Sequence, residues 1–101
     1  MTRFEQLEPR YMFEELGYKR YENHPKQEMQ PHTFTTQDNP YIEYINENES
    51  AIEIIRFDLW DKNIWFNGYR KDLKHVVPCP VNMKELQAIN KQIEELGWNN
   101  E

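Results

Sequence analysis

AIEIIRFDLWDKNIWF, residues 51–66, is the stretch whose reading decides the fold. Residues 51–60 form the strongest strand pattern in the chain, rich in the β-branched and aromatic side chains that suit a pleated, half-buried surface. The alternation has a defect. Glu53 facing out places Ile52 and Ile54 in, whereas Arg56 and Asp58 facing out place Ile55, Phe57 and Leu59 in. Both phases hold only if the strand slips between Ile54 and Ile55, as at a β-bulge, or if it is buried on both faces at its start. Asp-Lys-Asn at 61–63 then turns the chain into Ile-Trp-Phe at 64–66, so 51–66 predicts a hairpin.

The neighbouring segments extend this sheet. YIEYI (41–45) is a strand candidate and NENES (46–50) the turn that joins it to the hairpin. YKRYE (18–22) and Lys74–Val77 supply two further extended pieces. A helix is predicted at each end. In EPRYMFEELG (8–17), Pro9 suits a first helical position because it has no N–H to leave unpaired, and Gly17 suits the left-handed end. Tyr11, Met12, Leu16 and Phe13 supply its apolar face. In the second helix Asn82 is the expected N-cap with Glu85 three residues on, the spacing of a capping box. Leu86, Ile89, Ile93 and Leu96 fall at helical spacing, Gly97 closes the helix, and Trp98 is placed to fold back onto the core. The expected class is α+β: an antiparallel sheet of three to five strands with an N-terminal and a C-terminal helix packed on one face, in a single domain over 1–101.

Charge is distributed unevenly. The chain has 101 residues and a formal net charge of −6, from 18 acids against 12 bases. No lysine or arginine stands between Lys26 and Arg56, a gap holding Glu28, Asp38, Glu43, Glu47, Glu49 and Glu53. Direct nucleic-acid binding is disfavoured, because neutralising phosphates requires bases. A partner with a basic surface fits the acids Glu43, Glu47, Glu49 and Glu53; the plain alternative is a solvated face that keeps the protein dispersed. Trp65 is expected to point outward if Ile64 and Phe66 point inward, beside Tyr69 and Arg70, a composition found at interface hot spots; the alternative is that another segment covers it. No apolar run approaches the ~18 residues of a membrane span, and MTRFEQLEPR lacks the apolar centre of a secretory signal. A lone cysteine cannot close an internal disulfide, so a cytoplasmic setting is the expectation.

The irregular stretch at 23–40 has Pro25, Pro31 and Pro40 in it, and a connection of this length inside a compact domain is usually functional or mobile. His24 and His32 lie there, while His75 and Cys79 lie in HVVPCP (75–80). Zinc takes four nitrogen or sulfur ligands in a tetrahedron, and these four residues make one such set. A structural Zn²⁺ on His24, His32, His75 and Cys79 would fasten the long segment to the end of the sheet; otherwise Cys79 is a small buried thiol. Catalytic signals are absent from the sequence. Nothing spells H-E-x-x-H, the three glycines are scattered, and Ser50 is the only serine. An enzyme is therefore not expected, and a small zinc-dependent enzyme is the remaining catalytic alternative.

MKELQAINKQIEELGW (83–98), FEELGY (13–18) and IEIIRFDLWDKNIWF (52–66) resemble segments of small uncharacterised proteins encoded by phages and prophages of Gram-positive bacteria. The resemblance covers about half the chain, in core and capping residues, and leaves the histidines and cysteine outside. Small acidic phage proteins of this kind often bind and block host machinery, and anti-CRISPR proteins that inhibit type II-A Cas9 are among them. Cas9 holds nucleic acid in positively charged channels. The resemblance thus implies a phage-encoded inhibitory binding protein acting on Cas9 by contact within the bacterial host cell. The alternative is a structural or regulatory phage accessory protein that self-associates or binds another phage protein.

Overall fold

The computed structural model describes residues 2–23, 40–72, 75–77 and 80–98. After a single 3₁₀ turn at Phe4–Gln6 come α1 (Pro9–Glu15), β1 (Lys19–Asn23), β2 (Tyr41–Glu47), β3 (Ala51–Asp58), β4 (Asn63–Arg70), β5 (His75–Val77) and α2 (Met83–Leu96). The strands form one antiparallel sheet in chain order, β1-β2-β3-β4-β5. Every strand pairs with its sequence neighbour. The architecture is the expected α+β layer pair.

The central hairpin resolves the defect in its own alternation. Pairing runs without a break from Ala51 opposite Arg70 to Asp58 opposite Asn63, and from Tyr41 opposite Asp58 to Glu47 opposite Ile52. There is no bulge in β3. Nor is the strand buried on both faces at its start: Ala51–Ile54 are half-buried, with Ile52 and Ile54 on the face away from the helices, and full burial on the helix side comes later, at Ile55 and Phe57. Glu53 therefore shares the helix-side face with Ile55. Asp58, expected to face outward, is buried because its carboxylate oxygen accepts the backbone N–H groups of Trp60 and Asp61 at 3.0 and 2.9 Å. That Asx-type turn, with Lys62 in a left-handed conformation (φ 59°), fixes the hairpin's tip and its register. At the other end, Asn48 accepts from Ser50 and Ala51 at 2.8 and 2.9 Å and closes the β2–β3 turn.

The core lies between the sheet and the two helices. Phe13 of α1 stacks on Tyr44 of β2 with ring centroids 3.8 Å apart and meets Tyr18 and Phe57 edge-on at 5.6 and 6.3 Å. Such aromatic pairs add roughly 0.5–1.5 kcal/mol each beyond the area they bury. Met12, Ile42, Ile55, Ala88 and Ile89 complete the cluster, and Trp98 returns past the end of α2 to lie 6.2 Å from Phe57. Gly17 and Gly97 both have positive φ, 97° and 75°, so each ends its helix in a conformation that a side chain would strain.

The capping box of α2 is complete: Asn82 accepts from the Glu85 backbone at 2.8 Å and Glu85 accepts from the Asn82 backbone at 3.0 Å. The face that α2 buries differs from the apolar stripe. Leu86 is 41% exposed, whereas Glu85, Ala88, Ile89 and Gln92 are buried. The helix is turned so that Glu85 reaches the hydroxyl of Tyr18, just before β1, and Gln92 that of Tyr44 in β2. In α1, likewise, Met12 and Phe13 are buried while Tyr11 is exposed.

Candidate binding surface

Between sheet and helices runs a layer of polar contacts. Tyr18 donates its hydroxyl to Glu85, and a Glu53 oxygen lies 3.2 Å from the same hydroxyl. A phenol has one proton, so it satisfies one carboxylate at a time. Tyr44 donates to Gln92 Oε1 at 2.5 Å and accepts from Arg20 Nη1 at 2.5 Å; Gln92 Nε2 donates to Glu95 at 3.2 Å. Burial, with the Glu85 hydrogen bond next, raises the Tyr18 phenol far above the ordinary tyrosine range. Burial pushes Tyr44 up to about 12, against the opposing pull of the Arg20 charge. Both hydroxyls are therefore held neutral, as donors.

The Tyr18 layer opens on a shallow cleft of about 510 Å³ lined by Leu16, Asn46, Glu53, Val81, Asn82 and Glu85. Its chemistry is already committed within the chain. Glu85 has one oxygen on the Asn82 backbone and the other on Tyr18. The layer positions α2 on the sheet.

The other face of the sheet has a different character. Strand pairing aligns Tyr21, Glu43, Arg56 and Trp65 in one row across β1 to β4. Arg56 donates from Nε to Glu43 Oε2 at 2.7 Å, and its Nη2 lies 2.7 Å from the same oxygen. Its guanidinium also covers the Tyr41 ring, 4.2 Å from the centroid, a cation–π arrangement. The ends of the row are open: Tyr21 is 48% and Trp65 46% exposed. Tyr69, exposed on the same face, lies opposite half-buried Ile52.

The sequence-predicted contact residues divide among these places. Trp65 is exposed as expected, although its neighbour Phe66 is exposed too, with only Ile64 half-buried. The four acids do not form one surface. Glu43 is buried and paired with Arg56; Glu47 pairs at 2.8 Å with Lys71; Glu49 is exposed in the β2–β3 turn; Glu53 lies on the helix side beside Tyr18. The bases missing between 26 and 56 in sequence arrive from Arg56 itself and from Lys71, brought across by strand pairing. Nothing in the sequence around Glu43 announces its partner, but two-residue alternation plus hairpin register could have found it, since Glu43 and Arg56 fall opposite each other once the turn at 48–50 is placed.

His24, His32 and Cys79 lie outside the described residues, and His75 enters only as a backbone position of β5, opposite Arg70. Among the described residues no group of three or more His, Cys, Asp or Glu could hold a metal ion. No helix among them is long and apolar enough to cross a membrane. No protein-family model, no curated protein and no solved structure matches the chain. The functional reading therefore rests on the chemistry of these surfaces.

Proposed function

We propose that the protein is a non-catalytic inhibitory binding module that docks a protein partner on the Tyr21–Glu43–Arg56–Trp65 face of its sheet. The observation that carries the reading is the composition of that row: two half-exposed aromatics flank an ion pair neutralised within the chain. Tyrosine, tryptophan and arginine are the residues enriched among interface hot spots; the two aromatics bury a large area at little conformational cost, and Arg56 is already held in place by Glu43 and Tyr41. A face of this kind favours an uncharged, partly apolar protein patch over a strongly basic one. The contact chemistry thus moves from the acids to the aromatics.

The resemblance to phage proteins makes guide-loaded Cas9 the target to test. Binding of the purified chain to Cas9 is measured directly, together with inhibition of DNA cleavage. Trp65→Ala is expected to weaken binding by tenfold or more, the range of a hot-spot truncation, while Glu49→Lys leaves it nearly unchanged. The absence of both binding and inhibition would remove Cas9 as the target. Binding unaffected by Trp65→Ala and Tyr21→Ala would remove the face.

A further inference from the structure

We propose that the Glu43–Arg56 pair at the centre of the aromatic row is a receptor for one side-chain carboxamide, an asparagine or glutamine of the docked partner. This rests on the docking face proposed for the sheet and names what the centre of that face recognises. A guanidinium has five N–H groups in a fixed fork. Arg56 Nε donates to Glu43 Oε2 at 2.7 Å, and Nη2 lies 2.7 Å from the same oxygen. These contacts use the side of the guanidinium turned to Glu43, and the Tyr41 ring, 4.2 Å away, holds the group in place. Nη1 has no acceptor among the described residues. On the carboxylate, Oε2 takes both contacts, and Oε1 has no donor among the described residues. Arg20 Nε is the only buried side-chain nitrogen or oxygen among the described residues that lacks a hydrogen-bond partner. The unspent Nη1 of Arg56 and Oε1 of Glu43 are therefore both open to solvent.

The pair is neutral as a unit, yet it offers unused donors and an unused acceptor. A carboxylate would accept from Arg56 but would meet the like charge of Glu43. An ammonium would donate to Glu43 but would meet the guanidinium. A carboxamide has a carbonyl oxygen to accept and an NH₂ to donate, and it carries no charge. Depth favours a side chain over a main chain. The Arg56 side chain is 22% and the Glu43 side chain 11% exposed, whereas Tyr21 and Trp65 stand half-exposed on either side of them. Those two residues are three strand spacings apart, ~14 Å. A partner side chain passes between the rings, and the main chain that bears it stays above them. Rings covered by the partner then keep water from the pair, as the surround of a hot spot does, and a hydrogen bond in that drier setting is stronger.

Three probes of similar shape separate these chemistries: benzamide, benzoate and benzylammonium. Each brings a ring for the aromatic row, and only benzamide both donates and accepts. Each is titrated into the native chain and followed by NMR at the Trp65 indole and Arg56 Nε–H signals. Benzamide is expected to shift both signals and to bind roughly tenfold more tightly than either charged probe. Arg56→Lys keeps the positive charge but loses the planar fork. It should abolish the preference for benzamide, with a melting curve recorded to show that the chain is folded. Trp65→Ala should weaken all three probes alike, because it removes a ring that all three share. Equal binding of the three, a preference for a charged probe or no binding by any of them overturns the proposal. So does a preference for benzamide that survives Arg56→Lys. Cas9 takes no part in these titrations. Its failure to bind leaves their result standing, and a missing carboxamide preference leaves the docking face to its own test.

Discussion

Replacing Gln92 with leucine should destabilise the protein, although it adds an apolar side chain of similar size to a core-facing helix position. Gln92 is fully buried. Its Oε1 accepts from the Tyr44 hydroxyl at 2.5 Å and stands 3.3 Å from Arg20 Nη1. Leucine removes the acceptor and leaves the Tyr44 proton buried without a partner, at a cost of about 1–3 kcal/mol for the orphaned group. The contact from the charged Arg20 is lost as well, which places the expected total near the top of that range. For a domain of this size 1 kcal/mol corresponds to roughly 4–8 °C in melting temperature, so a fall of more than ~10 °C is expected. The assay is thermal and urea unfolding of the native chain, Gln92→Leu, Tyr44→Phe and the double variant. Removing both partners replaces the hydrogen bond with an apolar contact, so the double variant should be markedly more stable than the sum of the single losses implies. Leu86→Gln serves as the converse: it puts an amide into the apolar stripe of α2, yet Leu86 is 41% exposed, and a loss below about 1 kcal/mol is expected. A Gln92→Leu variant as stable as the native chain, or strictly additive losses in the cycle, would refute the role assigned to the polar layer.

The two ion pairs of β2 should behave differently in the same assay. Glu43→Ala strands Arg56 in a part-buried position and should cost about 1–3 kcal/mol, whereas Glu47→Ala breaks an exposed pair and should cost less than ~1 kcal/mol; equal losses would contradict their burial. Alkaline stability should report the buried phenols. The folded-state values of Tyr18 and Tyr44 lie above the ordinary tyrosine value, so the native state holds their protons more tightly than the unfolded chain does. Their contribution is fully present below the unfolded value of about 10 and is lost as pH rises from there through the folded value, about 12 for Tyr44. Ultraviolet titration should show two of the six tyrosines resisting ionisation until the protein unfolds; six that titrate together in a folded protein would contradict the layer. The histidine–cysteine quartet is tested by elemental analysis of untagged protein purified without chelator. One zinc per chain, lost in Cys79→Ser together with a fall in melting temperature, is the outcome a structural site requires, and zinc-free protein of full stability would eliminate it.

Features decided by contacts near in sequence were legible in it. The Asn82–Glu85 box, the left-handed glycines after each helix and the hairpin turn at 61–63 all depend on groups within a few residues of one another, so residue type and spacing suffice. The fold class followed from the same signals, because five short strands between two amphipathic helices leave few ways to bury one face. Tertiary structure decided the rest. Periodicity marks which residues are apolar, and so it pointed to Leu86; the angle at which α2 lies was set by Tyr18 and Tyr44, whose hydroxyls draw Glu85 and Gln92 inward. The gap in basic residues suggested an acidic surface. Strand pairing brought Arg56 and Lys71 across to Glu43 and Glu47, and the pleat turned Glu53 to the opposite face. Charge is felt through space and not along the chain, and for that reason the proposed contact face reads as aromatic in three dimensions where it read as acidic in one.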